Sequence, residues 1–257
     1  ERAASGAVWG AFNNSGQVCM SVERVYVEEP VYDEFVERVV KLTNQIKQGL
    51  SNEPGVDVGS MTFPRQLEIV EDHVEEAKRM GAKVLAGGKR NEKYKGYFYE
   101  PTVLTDVTHD MKIMKDETFG PILPIVKVKD AAEALRLAND SVYGLNSSVW
   151  SKDLQKARRI AQDMEAGACV INDVLVSYAM SELPFGGVKE SGIGRTHGEE
   201  GLIGMSHIKA IAEDRFGPKR EQSWFPYHPK SYEMGKKVVR ALFYKGAGKK
   251  IAALLGK

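Results

Sequence analysis

Short β-branched runs alternate with stretches of helical spacing along most of this chain, and that alternation restricts its fold more than any other feature. Residues 24–27, 83–86, 102–104, 122–128, 147–150 and 168–172 carry β-branched and other apolar residues in short runs and read as strands. Residues 3–12, 30–46, 64–80, 130–139 and 153–164 follow helical spacing. In 30–46 the expected buried face is Val31, Phe35, Val39, Leu42 and Ile46. Pro64 and Gly81 bound the helix over 64–80, and Asp130 stands as the N-cap of the next. Strands alternating with helices predict an α/β fold, an open and mostly parallel sheet flanked by helices. Residues 184–201 are dense in glycine and read as one long loop.

Composition narrows the class. A chain of 257 residues with 42% hydrophobic content can bury a sizeable core. No run of about 18 apolar residues exists, which excludes a membrane-spanning helix, and the first residues do not form a secretory leader. Cys19 and Cys169 are too few for a disulfide framework or a four-cysteine zinc site, so reduced thiols and a cytoplasmic location are expected. His73, His109, His197, His207 and His228 fall at no metal-ligand spacing, and no metal is expected. The net charge of +1 argues against nucleic acid as a partner. That charge is uneven: residues 213–257 hold eleven Lys/Arg against four Asp/Glu, leaving 1–212 acidic. Two regions are expected, a globular domain over 1–212 and a basic amphipathic tail over 213–257, with the boundary near Asp214 and before Phe216-Gly217-Pro218.

Three segments carry candidate chemistry. Asn14-Ser15-Gly16-Gln17-Val18-Cys19-Met20 puts a thiol on a glycine turn between a helix and a strand. Backbone N–H groups converging on such a turn lower a thiol pKa and can hold an oxyanion, although burial as a small apolar residue is the commoner fate of a lone cysteine. Glu117-Thr118-Phe119-Gly120-Pro121 offers a carboxylate for ribose hydroxyls and an aromatic ring beside it. Taken alone, these are equally a surface Glu and a core Phe. Residues 184–195, Pro-Phe-Gly-Gly-Val-Lys-Glu-Ser-Gly-Ile-Gly-Arg, lack the glycine spacing and the leading strand of a dinucleotide fingerprint, so their glycines are expected to serve close packing and positive φ. Cys169, on the strand over 168–172, is expected to be buried without a partner.

Taken in order, Gly-Gln-x-Cys, Glu-x-Phe-Gly-Pro and Pro-Phe-Gly-Gly-x-Lys-x-Ser-Gly resemble the aldehyde dehydrogenase superfamily. Tyr143-Gly144-Leu145, Ala166-Gly167 and Ile171-Asn172 extend the resemblance from about residue 3 to about residue 212. The resemblance implies that Cys19 is the nucleophile, passing through a thiohemiacetal and a thioester to a carboxylic acid, with Asn14 in the turn that shapes the site. It implies NAD or NADP as cofactor, bound through Glu117 and Phe119, with Gln66 a further contact. Asn172 would form a wall of the site and Arg195 would support the glycine loop. Val18 and Met20 flank the thiol and suggest an apolar mouth. Thr196 stands where many relatives carry Glu, which removes any proton-relay role there.

The family's Gly-rich cofactor domain, its oxyanion Asn and its general-base Glu have no counterpart in these residues. The expected protein is therefore the catalytic portion of an NAD(P)-dependent enzyme, weak or inactive alone, with an aldehyde as its small-molecule partner and a homo-oligomeric state. A coenzyme A-acylating enzyme and a non-catalytic assembly domain of the same fold are the alternatives. The tail over 231–255 mixes Val238, Val239, Leu242, Phe243, Ile251, Leu254 and Leu255 with Lys and Arg, and Gly246 and Gly248 interrupt it. It reads either as a membrane-surface helix or as a helix docked on protein.

Overall fold

A computed structural model describes residues 1–50, 52–217, 219, 224–226 and 229–255, without the side chains of 229 and 253–255. Pro218 of the boundary motif, His228, and the side chains of Leu254 and Leu255 lie outside the described residues. The chain divides into two compact units, Glu1–His207 and Ile208–Lys257.

The first unit opens with α1 (Arg2–Phe12), whose small residues Ala4, Ala7 and Ala11 are buried and let it lie close on its neighbours. A short 3-10 turn, Asn13–Gly16, leads to β1 (Val25–Glu28) and α2 (Glu29–Thr43). Then come α3 (Pro64–Arg79), β2 (Lys83–Ala86), β3 (Thr102–Thr105), α4 (Lys112–Lys115) and β4 (Ile122–Val128). The second half holds α5 (Ala131–Asn139), β5 (Tyr143–Gly144), β6 (Asn146–Val149), α6 (Leu154–Asp163), β7 (Ala168–Ile171), β8 (Val188–Lys189) and α7 (Gly198–Gly204). Asp130 accepts from the Glu133 N–H at 2.9 Å, and Asp153 caps α6 through Gln155 and Lys156.

The main sheet runs β1-β4-β3-β2. β1 and β3 are parallel to β4, and β2 closes the far edge antiparallel. Alternation along the strands splits the core in two. Val103, Leu123 and Ile125 face α1 and α2, while Leu104 and Ile122 face α3 and α4. β6 and β7 form a separate parallel pair, and β5 and β8 an antiparallel one. The expected mostly parallel sheet is thus present in separate pieces, with helices on both faces of the main one.

Three local expectations change. Of the face expected over 30–46, Val39 is buried and Phe35, Leu42 and Ile46 pack against the core, whereas Val31 is 52% exposed and Tyr32 and Thr43 join the buried side. The glycine loop is broken by β8, by the Phe185–Thr196 bridge and by the start of α7. Cys169 is half-buried beside Ser147, since β7 pairs on one side only.

The second unit contains α8 (Pro229–Phe243) and α9 (Ala247–Leu255). Gly246, at φ 99°, separates them, and Gly248 lies inside α9 rather than interrupting it.

Candidate active site

The site forms where the turn after α1 meets the turn before β4. Asn14, Ser15 and Gly16 all take left-handed backbone, at φ 52°, 59° and 70°. The conformation is held by reciprocal bonds: Asn14 Nδ2 donates to the Gln17 carbonyl and Gln17 Nε2 to the Asn14 carbonyl, each at 3.0 Å. Gln17 Oε1 also accepts from the Thr62 N–H at 2.8 Å, and Ser15 Oγ donates to the Gly59 carbonyl at 2.9 Å. On this turn Cys19 is exposed. Among the described residues, the backbone N–H groups of Val18, Cys19 and Met20 have no acceptor. An exposed thiol beside free N–H donors is an arrangement suited to holding negative charge on sulfur or on a neighbouring oxygen.

Gly16 fixes this turn to the second one. A Cβ on Gly16 would sit 2.0 Å from the Gly120 carbonyl oxygen, so no other residue fits. Gly120 in turn presses on Val70 of α3, 2.2 Å from where its own Cβ would be. Thr118 is buried and Phe119 half-buried at φ 48°, which leaves Glu117 exposed at the tip. Its carboxylate takes no hydrogen bond or ion pair from any described residue, and Glu117 and Cys19 line the same cavity, of about 640 Å³.

Three side chains clamp the second turn. Glu23 accepts from the Thr118 and Phe119 N–H groups, both at 2.9 Å. Burial pushes its pKa up, against the pull of those two backbone bonds. Gln66 Nε2 donates to the Thr118 carbonyl at 2.7 Å. His73 Nδ1 lies 3.2 Å from Thr118 Oγ1, and burial lowers its pKa.

The structure thus brings Asn14, Cys19, Glu117, Phe119 and Gln66 together. The Gln66 amide is spent on the backbone of the turn that carries Glu117. Met20 is largely buried against Val174 and Leu175 and lines the same cavity as Cys19. Asn172, at φ 58°, bonds both backbone groups of Ser151 at 2.8 Å, and Arg195 holds the Gly187 and Gly194 carbonyls. Among the described residues no cluster of three metal-ligating side chains occurs.

Sequence reasoning missed Glu23. Its signal was available: a carboxylate at the mouth of an apolar strand, four residues past the thiol, needs partners in the interior. It also missed an open edge. β1 ends the main sheet and β6 pairs only with β7, and residues of both strands line the cavity beside Cys19. Leu135 and Ile160 add apolar surface there.

The model of the aldehyde dehydrogenase family matches residues 1–211, and the chain belongs to that family. It is 47% identical to a 4,4'-diapolycopene aldehyde oxidase from Methylomonas sp. over 91% of this chain and 43% of that protein. It is 41% identical to a putative succinate-semialdehyde dehydrogenase [NADP(+)] 2 from Mycobacterium ulcerans over 84% of this chain and 42% of that one. Among solved structures it resembles betaine aldehyde dehydrogenase from Staphylococcus aureus in complex with NAD+, with a TM-score of 0.75 and 35% identity over 78% of this chain and 40% of that one. The chain therefore spans well under half the length of these relatives.

Proposed function

We propose that this chain is the catalytic part of an NAD(P)-dependent dehydrogenase that oxidises an apolar aldehyde to its carboxylic acid. The observation that carries the reading is the locking of the Cys19 turn to the Glu117 turn through Gly16 and Gly120. The residues fit a nucleotide: Glu117 is an exposed, uncommitted carboxylate on a rigid turn, able to accept from two ribose hydroxyls, with the Phe119 ring next to it.

In this reading the Cys19 Sγ thiolate adds to the aldehyde carbon, and the carbonyl π pair moves onto oxygen. The free N–H groups of the Cys19 turn hold that oxygen. Bound NAD(P)+ supplies the hydride acceptor. Loss of hydride leaves an acyl thioester on Sγ. Water adds to the acyl carbon, the C–S bond breaks, and the acid departs as the thiolate is restored. No described residue is assigned as the base for this water.

The apolar substrate is favoured by the segment that starts beside the Cys19 turn. Val174 and Leu175 touch Met20, and Tyr178, Met180 and Leu183 further along are exposed. Residues 174–185 contain no Lys or Arg. That segment offers no cation to a substrate carboxylate, and Lys156 of the cavity lining is paired with Glu28. A diapolycopene-type aldehyde, of the kind named for the 47% identical relative, suits this surface better than succinate semialdehyde.

The test uses the full-length protein. Cys19→Ser should lower NAD(P)H formation more than about a thousandfold, and an unchanged rate sinks the mechanism. Glu117→Gln should raise the KM for nucleotide by about tenfold, the worth of one charge-assisted hydrogen bond. A long-chain alkanal should exceed succinate semialdehyde in kcat/KM, and the reverse order overturns the substrate reading.

A further inference from the structure

The second unit has an arrangement that catalysis does not use. Along α8, Met234, Val238, Val239, Leu242 and Phe243 recur at intervals of one turn. At 100° per residue they share one arc with Tyr232. Lys236, Lys237 and Arg240 occupy the complementary arc. The apolar arc is uncovered: Tyr232 is 71% exposed, Val239 55%, Leu242 65% and Phe243 80%. Ile251 of α9 is 58% exposed. Between residues 229 and 255 there are seven Lys/Arg and one acidic residue, Glu233, which pairs with Lys236 at 2.7 Å. No described helix is long and apolar enough to cross a membrane. The family model stops at residue 211, yet the match to the 47% identical relative covers 233 residues and so necessarily runs into α8.

We propose that α8 docks this protein on an anionic lipid surface, its apolar arc sunk among the acyl chains and its basic residues against the headgroups. Charge decides the occupant. A second copy of this chain would bring another strongly basic tail against the first, whereas an anionic bilayer complements both arcs at once. The helix is about 22 Å long at 1.5 Å per residue, and so lies in the interface plane rather than spanning it. The reading of the Cys19 site uses no residue of this second unit, so the inference goes beyond the activity reading, and vesicle binding is read without turnover.

The experiment is co-sedimentation of the full chain with vesicles of phosphatidylserine and phosphatidylcholine, against phosphatidylcholine alone. Binding is expected to the anionic vesicles only, and to fall steeply with added salt. Lys236→Glu/Lys237→Glu/Arg240→Glu should weaken binding by at least about a hundredfold, since each basic residue near such a surface contributes most of a tenfold factor. Val239→Asp/Phe243→Asp should abolish it. The substituted residues are exposed except Lys236 and Lys237, which are half-buried, and an unchanged rate of Cys19 alkylation checks that the first unit is intact. No sedimentation with anionic vesicles overturns the proposal. So does equal binding to neutral ones, or binding that survives the aspartate pair. A concentration-dependent dimer that the aspartate pair dissolves, with no vesicle binding, would assign the arc to a second copy instead.

Discussion

The two sides of β1 are built on opposite principles. On one side β1 pairs in parallel register with β4, from Val25 opposite Ile125 to Glu28 opposite Val128. Behind that pairing lie Leu123 and Ile125, both fully buried under α1 and α2. On the other side β1 pairs with no described strand, and its residues, with those of β6, line the cavity next to Cys19. The Cys19 turn belongs mechanically to the closed side, because Gly16 is wedged on Gly120 and Glu23 holds the Thr118 and Phe119 N–H groups. The thiol itself faces the open side. A rigid support behind a reactive group, with unfilled space in front, is how a site is preorganised while its other reactants stay exchangeable.

Truncations on the two sides should therefore differ most. Ile125→Ala on the closed side removes a side chain packed from all directions and should cost about 2–5 kcal/mol. Ile160 lines the cavity, so Ile160→Ala loses fewer packing contacts and should cost less than about 1 kcal/mol. Urea midpoints of the two variants measure the gap. Equal costs would mean that the cavity side is filled in solution.

Gly16→Ala comes next. It combines a left-handed residue, worth about 1 kcal/mol, with a backbone clash that cannot be relieved by a side-chain rotation. A loss of about 2–4 kcal/mol is expected, together with slower Cys19 alkylation as the turn is displaced. A variant that is destabilised yet alkylates at the normal rate would separate the thiol's reactivity from the Gly120 contact. In the parent protein, Cys19 should alkylate faster than Cys169. The first is exposed, while burial raises the pKa of the second.

The same comparison shows what a sequence can disclose. The closed side was legible because each of its strands is a β-branched run bounded by turn residues, and each helix shows its period. The open side was not, because an unpaired edge has the same residues as a paired one: Val25-Tyr26-Val27 reads as a strand whether or not a neighbour is present. The pairs β5–β8 and Phe185–Thr196 are too short to leave any period. At the site, Cys19 and Glu117 were legible from motifs, since each sits in a turn with unusual glycine content. Glu23 and His73 were not, because their roles depend on the Thr118 turn, which lies 95 residues from the first and 45 from the second in sequence and which no local spacing encodes. Gln66, expected as a further cofactor contact, donates its amide to the Thr118 carbonyl, a bond that no local spacing encodes.

The smallest expected effect concerns that clamp, and its sign distinguishes the two buried groups. His73 has a folded pKa below its usual 6.5 because burial disfavours the imidazolium. The folded protein thus resists protonation more than the unfolded chain does. Stability tied to neutral His73 is present above about pH 6.5 and is lost as pH falls through that value towards the depressed folded pKa. Glu23 works the other way. Its folded pKa is raised above 4.5, so its contribution is fully present below that value and is lost as pH rises through the raised pKa. The Thr118 turn is gripped by both, and the two trends oppose each other, the Glu23 loss beginning near pH 4.5 and the His73 contribution becoming complete only near pH 6.5. Each slope should amount to about 1 kcal/mol or less, measurable as a difference in urea midpoint between parent and variant across pH. His73→Gln should flatten the acid-side decline while leaving the opposite trend from Glu23, and Glu23→Gln should do the converse. If either substitution flattened both slopes, the two groups would be titrating as one unit through the shared turn, and the closed side would be more tightly coupled than its separate hydrogen bonds imply.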